Sequence, residues 1–424
     1  MHIKNFDPYD FSKKEIEGVP VYYKNLPWAP CVHIQISFNN VGAFNDPVGK
    51  EGVSHFLEHL PGNGSPMLPD KKAIKEFSRT YMLNSRNAFT GYYRTAYVGR
   101  CLPENLEIVL KTMKDYIFNP FLRPEDVEHE RKVITQEAWG RFRNEKYLKY
   151  IKEFNDNLFR GHQKSRIHSA LGWPDTIAKI SHQDILDYHK KNYVKSNLSV
   201  FLVGAIEEKH ISLVDDFISG IPDGEKVDFY SGDILKPEQL RFEKNSEEIG
   251  MPTEQLDFSI SRVYRKTNNK EEAVLDMVTA LIQDLLFERL RLENSLCYGV
   301  SSGRNREKDF QIFGISVKTK EDNLSLSEKE IWNVINEIID GKWEGRFNDL
   351  HNLTIDQLRS NERSSSVILS NFSENVLIQE SPETLEDVIK NIKEVTYDDV
   401  KELVKDIYNP EWVVTEVIYP SKKS

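Results

Sequence analysis

The chain has little cysteine, little histidine and no long apolar run. Cys31, Cys101 and Cys297 are its three cysteines in 424 residues, and no two of them form a C-x-x-C pair. An odd, widely spaced set gives no disulfide framework and suits a reducing compartment. No stretch approaches the length of a membrane span. The first residues, Met1-His2-Ile3-Lys4-Asn5-Phe6-Asp7, lack the apolar core of a signal peptide. A cytoplasmic location is the expectation. Positive charge is also in deficit, with 56 Lys and Arg against 67 Asp and Glu and a formal net charge of -11. No basic patch interleaved with aromatics occurs, so neither nucleic acid nor a membrane is an expected partner.

Histidine is scarce, 11 in all, yet two lie four apart in His55-Phe56-Leu57-Glu58-His59. On a helix this H-x-x-E-H spacing brings both imidazoles to one face, where they can hold one zinc ion. Glu58 is then placed to take a proton from water activated at that ion. Val53, Phe56, Leu57 and Leu60 follow the i, i+3, i+4, i+7 rule and make an apolar stripe on the opposite face. Pro61 is expected to stop the helix. From the pentapeptide alone, a surface helix with two chance histidines is a competing reading.

A catalytic zinc needs a third protein ligand and one open position. The stretch Pro124 to Trp139 reads as a charged helix, with Pro124 in its first turn and acidic residues at the positive end of the dipole. Glu130 and Glu137 are seven apart and share a face. Either can ligate while the other supports the site. Glu128 and His129 compete as ligands on composition alone.

Strands are legible as well. Val32, Ile34, Ile36 and Phe38 alternate with Cys31, His33, Gln35 and Ser37, a period of two that predicts a strand with one buried face. Leu198 to Val203 is a second strand, ended by Gly204. Ile180 to Ile185 leads through a helix to Tyr193 and that strand. Val395 to Val400 leads likewise to Tyr408 and a strand at Val413, every step offset by 215 residues. Ser181 and Thr396 are expected helix N-caps. The constant offset indicates duplication of one domain, and two domains of about 200 residues fit the length. The expected division is residues 1–219, a linker at 220–251 rich in Gly, Pro and charge, and residues 252–424. The second half has no H-x-x-E-H, and its long apolar helix over 271–293 reads as structural.

Taken together these motifs resemble the inverzincin zinc peptidases of the pitrilysin/insulinase family, including the mitochondrial processing peptidases. Glu137, 78 residues beyond His59, matches the family's third ligand, and Glu130 its accessory glutamate. Asn87-Ala88-Phe89-Thr90, with Thr95 and Tyr97, is similar to the family's strand beside the metal, where Asn87 and Ala88 would pair with substrate backbone. Leu290 to Val300 resembles the second-half signature, in which Arg291 and Tyr298 would reach the active site and stabilise an oxyanion. Pro61-Gly62-Asn63-Gly64-Ser65 departs from the family's usual sequence after the second histidine. The resemblance implies an α+β fold of two homologous domains. Each would be a mostly antiparallel sheet with helices on one side, in a clamshell. It also implies a Zn2+ endopeptidase acting on short or unfolded polypeptides in a closed chamber, as a homodimer or a hetero-oligomer. A non-catalytic subunit of the same family is the alternative. S-ribosylhomocysteine lyases share H-x-x-E-H but use a cysteine ligand in a much shorter chain, and Cys101 lies only 42 residues past His59.

Overall fold

A computed structural model describes residues 6–229, 232–360, 364–380 and 382–421. The first half contains β1 (Ser12–Ile16), β2 (Val19–Asn25), β3 (Val32–Asn39), α1 (Val53–His59), α2 (Lys71–Tyr81), β4 (Asn87–Thr90) and β5 (Arg94–Cys101). It continues through α3 (Leu106–Phe118), α4 (Pro124–Phe142), α5 (Glu145–Leu158), α6 (Pro174–Ile177), α7 (His182–Asn192), β6 (Leu198–Gly204) and α8 (Glu208–Ile218). The second half contains β7 (Arg241–Asn245), β8 (Leu256–Arg265), α9 (Asn269–Leu286), β9 (Cys297–Arg306) and β10 (Phe310–Thr319). It ends with α10 (Leu324–Ile339), α11 (Glu344–Ser360), α12 (Ser365–Glu374), α13 (Leu385–Glu394), α14 (Tyr397–Ile407) and β11 (Val414–Tyr419).

The strands form two sheets, ordered β1-β2-β6-β3-β5-β4 and β7-β11-β8-β10-β9. Apart from β1 the two orders correspond strand for strand. In each, one pair is parallel, β2 with β6 and β11 with β7, and the rest are antiparallel. This matches the expected fold class and duplication. Ser181 and Thr396 do cap α7 and α14, each accepting from the backbone three residues on and each paired with an aspartate in a capping box.

Two compact units result, and their boundaries differ from those expected. Unit 1 comprises Met1–Phe142, Ile167–Tyr230 and Arg363–Pro382, and unit 2 comprises Arg143–Arg166, Ser231–Glu362 and Glu383–Ser424. Helix α5 thus belongs with the second sheet and α12 with the first. Part of the expected linker is also structured, because Arg241–Asn245 pairs with β11 as a sheet strand.

The exchanged helices change the burial of β3. Its Ile34, Ile36 and Phe38 side is buried as expected, and Phe38 stacks on Tyr193 and meets Phe118 of α3. The opposite side is buried too, since Gln35 and Ser37 are 3% and 0% exposed. Alternation puts Gln35 and its cross-strand neighbour Phe201 on that side. There Ser373 of α12 donates to Gln35, and Phe372, Leu369 and Ile368 pack with Phe201 and Val203. Helix α5 does the same for the second sheet. Tyr150 donates to Glu416, which also accepts from Ser259, and Phe154 meets Phe242 edge-on. A strand covered on both faces loses the contrast between its two sides, so the one-face reading of β3 fails.

Candidate metal centre

Helix α1 leaves β3 through a turn in which Asp46 is the hinge of the local structure. Asp46 is 3% exposed, and its carboxylate accepts from the backbone N–H of Gly52 at 2.7 Å and Ser54 at 3.1 Å. It therefore caps α1 from outside the helix and supplies a negative charge at the positive end. Gly52 has φ of +100°, and a Cβ there would lie 2.6 Å from the carbonyl of Leu171. Gly172, at +76°, would meet the carbonyl of Glu51. These two glycines let the 169–172 loop press against the start of α1.

Val53, Phe56, Leu57 and Leu60 are all buried, as the periodicity predicts. The guanidinium of Arg131 on α4 lies 5.3 Å from the Phe56 ring centre. Pro61 does not end the helical path at once: a 3-10 turn over Leu60–Gly62 carries it further. The rest of α1 faces a cavity of about 540 Å³, walled by β4, Glu137 and Ser169-Ala170-Leu171.

In that cavity the expected residues meet. Glu137 Oε2 is 3.9 Å from His55 Nε2 and 3.8 Å from His59 Nε2. Glu58 Oε2 is also 3.9 Å from His55 Nε2. By distance alone, His55, Glu58 and His59 make an equally good cluster. Glu137 approaches both imidazole nitrogens, while Glu58 Oε2 approaches that of His55 and also accepts a hydrogen bond. The hydroxyl of Thr90 donates to Glu58 Oε2 at 3.2 Å and is itself 3.3 Å from that of Thr95. Ligands at 2.0–2.2 Å in a tetrahedral array lie about 3.4 Å apart, so closure on a divalent ion needs a contraction of about half an ångström.

Glu130, 5% exposed, does not enter the ligand triangle. Its Oε2 is 3.4 Å from His59 Nδ1, and its Oε1 accepts from Lys71 at 2.8 Å. A carboxylate behind a ligating imidazole fixes the ring and its tautomer, leaving Nε2 free for the metal. Glu128 and His129 are exposed on α4, and Glu128 pairs with Arg131. Among the described residues neither has a contact with His55 or His59, whereas Glu137 approaches both.

The electrostatics suit a cation. Burial, with His59 alongside, lowers His55 to about 3, so its nitrogen lone pair is available. Burial pulls His59 down as well, but Glu130, Glu58 and Glu137 outweigh that and raise it. Burial raises Glu58, opposed by His59 and the Thr90 hydrogen bond. Burial also pushes Glu130 up, yet the hydrogen bonds from His59 and Lys71 bring it down to about 2. Three carboxylates around two imidazoles make a field that attracts a divalent ion, and two nitrogen donors with one oxygen donor suit zinc. His55 Nδ1 is buried without a hydrogen-bond partner among the described residues.

Asn87 and Ala88 line the same cavity, on β4. That strand pairs only with β5 and forms the edge of its sheet. Arg291 and Tyr298 belong to unit 2. Arg291 lies in the π-helical turn Phe287–Glu293 that follows α9, and Tyr298 is the second residue of β9 and is 54% exposed. The sequence reading missed Asp46, Lys71 and the 169–172 loop. No local sequence signal marks Asp46, which lies six residues before the first N–H it caps.

The fold and the site together define a duplicated α+β protein in which two histidines and two glutamates from helices α1 and α4 meet in a cavity of the first unit. Comparison with known proteins agrees. Residues 21–168 match the family model "Insulinase (Peptidase family M16)", and residues 179–345 match "Peptidase M16 inactive domain". The chain belongs to the M16 peptidase family. An uncharacterized zinc protease of Rickettsia felis is 26% identical over 320 residues, 74% of each chain. Another from Rickettsia bellii is 25% identical over 389 residues, 89% of this chain and 90% of that one. The crystal structure of the first half of the periplasmic protease PqqL from Escherichia coli has the same fold. Its TM-score is 0.83 at 18% identity, with 97% of this chain and 92% of that chain covered. Among the described residues no helix is long and apolar enough to cross a membrane, and the three cysteines are free.

Proposed function

We propose that this protein is a zinc endopeptidase that cuts peptide bonds in short or unfolded polypeptides. The observation that carries the reading is the convergence of His55, His59 and Glu137 beside Glu58. His55, His59 and Glu137 hold the metal. Zinc bound there acts as a Lewis acid that polarises a carbonyl and acidifies water. Glu58 takes the proton from the attacking water and passes it to the leaving amine. Thr90 fixes one oxygen of that carboxylate, and burial keeps its proton affinity above that of an ordinary glutamate. Glu130 holds His59 in orientation. Asn87 and Ala88 bind extended substrate as an added strand on the β4 edge, which reads backbone more than side chains. Folded proteins are then poor substrates.

Arg291 and Tyr298 complete the reading as donors to the tetrahedral oxyanion, a role that suits a guanidinium and a phenol. We further propose a chamber closed around the substrate, a homodimer and a cytoplasmic location. The last is supported by three free cysteines. A monomeric mass across a wide concentration range would overturn the dimer. The function is tested by digesting a peptide library with and without chelator, read by mass spectrometry. Cleavage that chelator abolishes and zinc restores is expected. Cleavage indifferent to chelator, or no cleavage by the zinc-loaded protein, rejects it.

A further inference from the structure

A second groove opens from the metal cavity. It has a volume of about 400 Å³ and shares His59, Gly62 and Arg86 with the metal cavity as common walls. Its floor is α2, where Lys71, Ile74, Lys75 and Ser78 recur at i, i+3, i+4, i+7 and so lie along one face.

The charges in this groove do not balance. Glu130 is its one carboxylate, and both of its oxygens are engaged, by His59 and by Lys71. Arg86 lies over the Tyr116 ring at 5.7 Å and within 3.6 Å of where a Cβ on Gly62 would be. Arg86 also acts on the Glu58 carboxylate and hydrogen-bonds Tyr116, so Lys75 is the cation of this groove with no counter-charge among the described residues.

Direction follows from the sheet. Arg86 immediately precedes β4, so the groove lies at the N-terminal end of that edge strand. Strand β4 is antiparallel to β5. A peptide added antiparallel to β4 runs its C-terminal part toward Asn87 and Arg86.

We propose that Lys75 and Arg86 form a subsite for a peptide carboxylate on the C-terminal side of the scissile bond. It rests on the peptidase reading above. The carboxylate can belong to an Asp or Glu side chain or to a free C-terminus, because the chemistry recognised is the same. The attraction is Coulombic across a groove open to solvent, so it sharpens selectivity and weakens with salt.

The test uses matched fluorogenic peptides with Glu, Gln or Lys at each position after the scissile bond, each made as free acid and as amide. The zinc-loaded protein should favour Glu over Gln by about tenfold in kcat/KM at one such position, less at high salt. Lys75→Met should lower that ratio, and Lys75→Glu should invert it toward Lys. Lys72→Glu, an exposed change on the same helix outside the groove, should leave the ratio alone. A preference that survives amidation assigns a side chain, and one confined to free acids assigns the terminus. The same ratio read as peptide affinity for the Glu58→Gln protein decides the inference without hydrolysis. Equal binding of the Glu and Gln peptides in both forms, or a ratio unmoved by Lys75→Glu, overturns the subsite. Failure to cleave any peptide removes the peptidase reading instead.

Discussion

Helices α1 and α9 occupy the same place in the two halves, following the corresponding strands β3 and β8, yet they have opposite characters. Counted from their first residues, His55, Glu58 and His59 of α1 correspond to Glu271, Val274 and Leu275 of α9. Glu271 is committed to Arg265 and to capping α9, while Val274 and Leu275 are buried in the core of unit 2. Among the described residues no metal-ligand cluster occurs in unit 2. Helix α1 is seven residues long and turns a polar face to a cavity; α9 is eighteen long and largely buried. Duplication has thus supplied one scaffold twice, and a few side chains separate a ligand-bearing helix from a packing helix.

That contrast can be broken by exchanging expectations. The largest effect should come from α1 and its partner α4. His59→Ala or Glu137→Gln should lower zinc affinity and hydrolysis by about a thousandfold or more while leaving the melting temperature of the metal-free protein nearly unchanged. Elemental analysis after dialysis and a peptide assay read both. In α9 the pattern should reverse. Leu281→Ala, at a position with 0% exposure, should cost about 2–5 kcal/mol in urea unfolding with full zinc occupancy in the folded protein. Zinc loss in that variant would show that the halves are not separable in this way. Glu130→Gln tests the support behind the site. It should reduce metal affinity or activity by about 10–100-fold, the range for carboxylates behind a ligating histidine. A change below twofold would show that His59 is oriented by other contacts.

The smallest effects should be equal in the two halves. Ser181→Ala and Thr396→Ala each remove an N-cap of α7 or α14 and should each cost about 1 kcal/mol. A pH term accompanies the first. Burial pushes Asp184 up, but Lys50 and Ser181 hold it below its ordinary value of 3.8. A depressed carboxyl stabilises the fold above its unfolded pKa, and that contribution is lost as pH falls through the folded one. Urea midpoints of wild type and Asp184→Asn should therefore converge on acidification below pH about 4. Parallel curves would deny the linkage.

These asymmetries also explain what was legible beforehand. The ligand helix could be read because its pattern is local: five residues fix two ligands and a base, and the apolar stripe fixes which face is buried. Helix caps and strand alternation are local as well. Glu137 was reachable only through the family's spacing, since Glu128, His129 and Glu130 sit on the same charged helix. What sorts them is tertiary: Glu130 is buried behind His59, Glu128 pairs with Arg131, and Glu137 alone approaches both imidazoles. The exchange of α5 and α12 left no trace in periodicity. An amphipathic helix records that it has an apolar face, not which sheet it covers. The same exchange buries Gln35 and Ser37 and so hides the second face of β3. Asp46 was missed because its cap reaches across a turn to Gly52 and Ser54 instead of acting within one local motif.

The central claim is that Glu58 is the proton-transferring group beside a metal held by other residues. Glu58→Gln keeps the shape of the side chain and removes its basicity. Zinc content and peptide hydrolysis measured together on this variant separate binding from chemistry. The account predicts one zinc per chain with hydrolysis reduced by about 100–10,000-fold. Near-normal hydrolysis with zinc in place would contradict it.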